Sequence, residues 1–162
     1  MSEVPGRDAT LRAARVEDAP AIAALINAAF RVERFFIDGD RTDTDEVRGL
    51  LEKGSFLLAS DAAGGLAGCV YVELRGERAY FGLLSVDPAR QRSGLGRRLV
   101  AAAEAHGRNA GCRHMDLQVV NLRAELPPFY RSLGYAESGR APFPEDVPTK
   151  LACHFIRMSR AL

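Results

Sequence analysis

Four arginines, Arg90, Arg92, Arg97 and Arg98, crowd a stretch that contains no acidic residue and carries two closely spaced glycines, Gly94 and Gly96. The apolar stripe Leu95, Leu99, Val100 and Ala103 predicts a helix opening at the end of that stretch. At a helix start the macrodipole favours anions and each cation costs about 0.3–1 kcal/mol, so the cluster breaks a local rule that a bound anion would restore. A phosphate resting on the N–H groups of Ser93 to Arg97, approached closely because Gly94 and Gly96 have no side chains, is the chemistry this pattern supports. The plainer alternative is four arginines reaching into water around a shaped turn. Two nucleotide signatures are absent. The loop Asp87–Ser93 separates the preceding strand from Gly94, and Leu99 stands where a dinucleotide fingerprint needs a third glycine. No lysine lies nearby for a Gly-Lys-Ser/Thr phosphate loop.

The elements around this loop follow from periodicity and punctuation. Thr10–Ala14 reads as a short strand. Glu17, Asp18 and Pro20 open a helix whose apolar face is Ile22, Leu25, Ile26, Ala29 and Phe30. Asp43–Glu52 is a second helix closing at Gly54. Ser55–Ser60, Leu66–Leu74 and Ala79–Val86 form a meander of three strands, turned at Asp61–Gly65 and Arg75–Arg78. The helix from Leu95 ends near Gly107–Gly111, and Met115–Val120 is a buried strand expected to lie parallel to Ala79–Val86 in a βαβ unit. Pro127–Ser132 is a short helix with proline at its start and Gly134 past its end. Tyr135–Ser138 and Leu151–Ser159 are the last strands, joined by a proline-containing loop, Ser138–Lys150. The order β-α-α-β-β-β-α-β-α-β-β defines a mixed α+β fold, expected as a single domain over residues 1–162.

Composition narrows the partners. The 162 residues carry 22 Lys+Arg against 21 Asp+Glu, a net charge of +1, which disfavours a nucleic-acid surface. No apolar run approaches the ~20 residues of a bilayer span, and Met1–Thr10 lacks the basic and apolar regions of an export leader. Cys69, Cys112 and Cys153 are odd in number and widely spaced, as expected for reduced thiols in the cytoplasm. His106, His114 and His154 show no ligand spacing, so no metal is expected. The +1 hides a division: the arginine loop is purely basic, while Glu33, Asp38, Asp40, Asp43, Asp45 and Glu46 outnumber Arg34 and Arg41. That acidic stretch hints at a cationic partner, or is a solvated loop with capping aspartates.

The run Leu84-Ser85-Val86-Asp87-Pro88 followed by Gln91-Arg92-Ser93-Gly94-Leu95-Gly96 resembles the acyl-CoA signature of the GNAT superfamily of N-acetyltransferases, Gln/Arg-x-x-Gly-x-Gly/Ala. Asn121 and Phe129-Tyr130-Arg131-Ser132-Leu133-Gly134-Tyr135 are similar to the second half of that family's core. The resemblance implies a mixed sheet whose fourth and fifth strands splay apart to admit pantetheine. It implies acetyl-CoA as cosubstrate, with backbone groups of Leu84, Ser85 and Val86 pairing with pantetheine, Gln91, Arg92, Ser93, Gly94, Leu95, Gly96 and Arg97 holding the pyrophosphate, and Asn121 touching CoA. A Leu126-Pro127-Pro128 insertion separates Asn121 from Tyr130, and Asn121 reads equally as a loop cap.

Acyl transfer to an amine needs a neutral amine, donors for the oxyanion and a proton for the leaving thiolate. By the same resemblance, a backbone N–H around Val86 is the oxyanion donor and Tyr130 the acid, a phenol of pKa ~10 facing a thiol of ~8.5. The base is open. The fourth strand offers only Tyr80, Gly82 and Ser85, so Glu73, Glu33, His154 or water are the candidates. Phe35 and Phe36 either line an acceptor pocket or pack in the core. The expected activity is N-acetyl transfer to the amine of a small molecule or peptide, by a monomer or homodimer. The alternatives are a CoA-binding sensor without turnover and a nucleotide-binding protein of another class.

Overall fold

A computed structural model describes residues 9–162; the expectations placed on Met1–Asp8, an absent leader among them, lie outside the described residues. The chain lays down β1 (Thr10–Ala13), α1 (Ala19–Ala29), α2 (Thr44–Lys53) and a meander of β2 (Ser55–Ser60), β3 (Leu66–Arg75) and β4 (Arg78–Val86). Pro20 occupies the first turn of α1, where a missing N–H breaks no helical bond. Asp43 caps α2 by accepting from the Glu46 N–H at 2.8 Å. After the basic loop come α3 (Leu95–Asn109), β5 (His114–Val120), α4 (Leu126–Arg131), β6 (Ala136–Pro142) and β7 (His154–Ala161).

The seven strands form one mixed sheet in the order β1-β2-β3-β4-β5-β7-β6. Every neighbouring pair is antiparallel except β4 and β5, which run parallel and pair only where Arg78–Tyr80 meets His114–Asp116. That short ladder is clamped by a two-pronged ion pair, Arg78 Nε and Nη2 donating to Asp116 at 2.7 and 2.6 Å, and Ser159 Oγ donates to the same carboxylate at 2.6 Å. Beyond it the two strands part, as the splayed arrangement requires.

Both faces of the central strands are covered, which is why β3 reads as a continuous apolar run instead of an alternating one. Val70 and Val72 pack with Phe81, Leu95, Leu99 and Met115 on the α3 face; Cys69 and Tyr71 pack with Ile22, Ile26, Val47 and Phe56 on the α1/α2 face. α3 lies directly on the sheet at Gly68, where a Cβ would stand 2.8 Å from Leu99 and 3.1 Å from the Ser85 carbonyl. At about 0.8 kcal/mol per buried CH₂, these leucines and valines outweigh any helix propensity in holding α3 there.

Two expectations change. The stretch Ser138–Lys150 is not all loop: β6 runs through Pro142, paired with β7, and β7 begins at His154 instead of Leu151. β6 is the outermost strand, so Pro142 removes no ladder bond that the sheet needs. Its residues are exposed except Ala141, which left no apolar alternation to read.

Candidate active site

The separation of β4 from β5 opens a cleft of about 970 Å³ at their carboxyl ends, the position at which open α/β sheets place ligands. β4 is irregular there. Ser85 pairs with Cys69 and Gly82 with Tyr71, so Leu83 and Leu84 together oppose Val70, and Leu83 is forced to φ 54°. The bulge is closed by Ser85 Oγ donating to the Leu83 carbonyl at 2.9 Å. Leu83, Leu84 and Val86 line the cleft, whereas the Ser85 side chain is buried and does not.

At one end all seven residues from Gln91 to Arg97 line the cleft. Gly94 sits at the N-cap of α3 with φ 81° and offers no capping side chain, so the first N–H groups of the helix stay available. Arg92 is held at φ 68°, a strained value for a residue with a side chain. Ser93 Oγ is buried with no hydrogen-bond partner, a cost of about 1–3 kcal/mol unless a ligand supplies one. An orphaned hydroxyl beside a helix N-terminus and a left-handed glycine fits a phosphate group. The four arginines do not act alike. Arg98 stands outside the cleft and donates to the Ala9 carbonyl at 2.9 Å; Arg90 lines the cleft but is paired with Asp61, whereas Arg92 and Arg97 line it without a carboxylate partner among the described residues, Arg97 with its guanidinium 5.6 Å from the Phe129 ring.

Tyr130 forms part of the wall. It is 5% exposed and lies in a cluster of rings with Phe81 at 5.9 Å, Phe129 at 5.0 Å and Tyr135 at 6.1 Å. Burial pushes its phenol well above the usual value, with the nearby Arg123 charge opposing, so the hydroxyl keeps its proton at neutral pH.

The opposite end is built by side chains from distant segments. Glu33, in a 3-10 turn following α1, is 6% exposed and accepts from Arg123 Nη1 at 2.8 Å; Arg123 Nε donates to Glu125 at 2.6 Å. Burial pushes the Glu33 carboxyl upward while the Arg123 hydrogen bond and charge pull it down. Asp38, Asp40 and Glu46 add carboxylates, and Phe30, Phe143 and Phe155 add rings. The acidic stretch is thus only partly a solvated loop.

Other expected residues fall elsewhere. Glu73 does not line the cleft: its carboxylate accepts from the Tyr71 hydroxyl at 2.8 Å and from Arg75 Nε at 3.0 Å, and the Tyr71 bond first, then Arg75, hold it below the usual carboxylate range. Tyr71, Glu73 and Arg75 alternate along one strand face, a spacing that foretells the capture. Asn121 also stands outside the lining, with its side-chain oxygen accepting from the His154 N–H at 2.8 Å, which ties the end of β5 to the start of β7; the His154 side chain does not line the cleft either. Phe36 is wholly buried and Phe35 is 51% exposed, so neither forms the pocket that Phe30, Phe143 and Phe155 line. Arg123, which the sequence did not single out, and Tyr80, weighed there only as a poor base, both line the cleft. The one signal for Arg123 is its place just past the carboxyl end of β5. Among the described residues no group of three or more metal-ligating side chains gathers, and no helix is long and apolar enough to cross a membrane.

Comparison with known proteins agrees with this geometry. Residues 52–137 match the acetyltransferase (GNAT) domain family. Blasticidin-S acetyltransferase of Streptomyces morookaense is 32% identical over 117 residues, 72% of this chain and 81% of that protein. In fold, Ard1 from Thermoplasma volcanium superposes with a TM-score of 0.79 at 18% identity, over 96% of this chain and 98% of that one. The yncA protein of Salmonella typhimurium, solved with acetyl-CoA, superposes at 0.73 with 23% identity, over 95% and 94%. Sequence and sheet topology lead to one assignment, and the chain belongs to the GNAT family of acetyltransferases.

Proposed function

We propose that this chain acts as one N-acetyltransferase domain that moves an acetyl group from acetyl-CoA to the primary amine of a small molecule or peptide by direct attack, with Tyr130 as general acid. The observation that carries the reading is the wedge between β4 and β5, which has an anion-accepting loop at one end, the buried Glu33 with three more exposed carboxylates at the other and a protonated phenol on its wall. Bound acetyl-CoA supplies an activated thioester. The loop from Gln91 to Arg97, with Ser93 Oγ and the first N–H groups of α3, would hold the pyrophosphate. The parted backbone edge of β4 at Leu84–Val86 would pair with pantetheine, and N–H groups of the bulge would face the negative charge that develops on the acetyl oxygen.

The balance of the step is simple. A nitrogen–carbon bond forms, the carbon–sulfur bond breaks, the amine gives up one proton and Tyr130 delivers one to the departing sulfur. Of the candidate bases, Glu33 is the one supported by its place in the cleft, directly or through a water. Its carboxylate and those of Asp38, Asp40 and Glu46 favour a cationic acceptor, and the relative's substrate makes blasticidin S a first compound to try.

Thiol release from acetyl-CoA, followed over a panel of blasticidin S, polyamines, an alanyl peptide and a no-amine control, tests the reading. At least one amine should raise the rate well above the control, and Tyr130→Phe should lower kcat by about 10²-fold or more. No amine-dependent release, with CoA binding intact, would sink amine acetylation; an unchanged rate in Tyr130→Phe would remove that residue from the acid role.

A further inference from the structure

α3 buries a carboxylate that acetyl transfer does not use. Glu104, three turns along from the anion loop, is 7% exposed among apolar neighbours. Two groups satisfy it: the Tyr135 hydroxyl donates to Oε2 at 2.8 Å, and Arg160 Nη1 approaches the same oxygen at 3.3 Å. Arg160 belongs to β7, and its Nη1 also donates to the Leu133 carbonyl at 2.8 Å. Its guanidinium lies 5.9 Å from the Tyr135 ring centroid and covers Gly134, where φ is 95° and a Cβ would meet Nη1 at 3.4 Å.

All these contacts converge on the turn that follows α4. The Tyr130 carbonyl accepts from the N–H groups of Leu133 (2.9 Å) and Tyr135 (3.1 Å), so that turn is also what holds the backbone of Tyr130. α4 has six residues and no side-chain cap, too little helix to fix a side chain by itself. Packing of Phe81, Tyr130 and Tyr135 orients the rings, but rings slide over one another at little cost; a hydrogen-bonded ion pair whose carboxylate is buried does not.

We infer that Glu104 and Arg160 are positioning residues, a half-buried clamp that fixes the Tyr130-bearing turn to α3 and so sets the phenol against the cofactor loop opening the same helix. The functional consequence rests on the reading of Tyr130 as the acid. Breaking the clamp leaves the loop and the bulge intact, so it lowers turnover and spares CoA binding.

Glu104→Gln removes the charge and keeps the shape; Arg160→Met removes the cation and its bonds to Glu104 and the Leu133 carbonyl and keeps much of the stem. With the fastest amine of the panel, each should lower kcat roughly tenfold to hundredfold, the scale of an ångström's misplacement, with the CoA dissociation constant from calorimetry unchanged. In a Tyr130→Phe background neither should lower kcat further. The chain has four tyrosines, so in protein labelled with ¹³C at tyrosine Cζ the Tyr130 signal is assigned by its loss in Tyr130→Phe. That signal should shift or broaden in Glu104→Gln and stay in place in the exposed control Asp45→Asn. Equal losses in both backgrounds, an effect confined to the KM for acetyl-CoA, or an unmoved Tyr130 signal would each overturn the inference. A Tyr130→Phe enzyme with unchanged kcat would instead overturn the acid reading, while the tyrosine signal still decides whether the clamp sets the phenol.

Discussion

The two ends of the cleft are made of different material. Toward α3 the surface is largely backbone: a bulge in β4, a left-handed glycine and the start of a helix, all contributed by the continuous segment Leu83–Arg97. Toward Glu33 it is side chain, drawn from the turn after α1, the β5–α4 loop and the segment around Phe143 and Phe155. Backbone donors have fixed geometry and suit a ligand that never changes; side chains can be exchanged one at a time and suit a ligand that differs from one enzyme to the next. Substitutions should therefore damage the two ends by different routes.

The largest effect is expected at the side-chain end. Arg123→Met strands the buried Glu33 carboxylate, and breaking such a pair costs on the order of 3 kcal/mol. Without its partner the Glu33 carboxyl rises further above its usual 4.5, so the folded state then holds a proton that the unfolded state has released. Relative to the wild type, whose Glu33 is itself raised above 4.5, the pH-dependent deficit should be absent at low pH and grow as pH rises from the wild-type value through the higher value of the variant. Denaturant melts at pH 4 and pH 8 measure it, and adding Glu33→Gln should erase the pH dependence. A deficit of equal size at both pH values would show that the pair does not carry it.

Next is the backbone end. Gly94→Val places a β-branched residue at φ 81° with nothing within 4 Å to clash, so the cost is conformational, about 1–3 kcal/mol. It should appear as a roughly tenfold to hundredfold rise in the KM for acetyl-CoA, with the amine KM unmoved; a change in the amine KM alone would break the division between the two ends. Phe143→Ala, which removes a ring 5.1 Å from Phe155, should do the reverse. It should change the ranking of amines, with losses of about 1 kcal/mol, and leave acetyl-CoA kinetics as they were. The smallest effect is assigned to Arg92→Ala: a solvent-exposed cation worth under about 1 kcal/mol. Its few-fold loss in acetyl-CoA affinity should vanish in high salt, and a loss as great as that of Gly94→Val would mean that side chains, not backbone, hold the anion.

The same division explains what could be read in the sequence. The backbone end is local, so glycine spacing, the strand before it and the helical stripe after it lie within one run of residues and made the loop from Gln91 to Arg97 legible, whereas the parting of the strands entered only through the resemblance to the GNAT superfamily. Strand and helix limits came through wherever burial imposed a period, as in β2, matched residue for residue. β6 did not, because an edge strand with one buried residue carries no alternation. Glu33 reads as a solvated acid until its partner is known, and Arg123 is 90 positions away. Arg90 and Arg98 look like ligands for a phosphate until Asp61 and the Ala9 carbonyl are found beside them. Pairings between distant segments leave no trace in composition or spacing; only the folded sheet brings them together.

The short ladder between β4 and β5 has a further meaning for how the molecule comes apart. β1 to β4 with α1 and α2 form one block, and β5 to β7 with α4 another. Their strands pair only at Arg78–Tyr80 and His114–Asp116, with α3 laid over the join; outside the ladder the Glu33–Arg123 ion pair, the Ile37–Thr149 bridge and the packing of Phe81 on Tyr130 cross the seam. Such blocks open as separate cooperative units with their own free energies. Slow amide exchange should divide along that seam, and a molecule lodged in the wedge would bind the halves into a single unit that unfolds all at once.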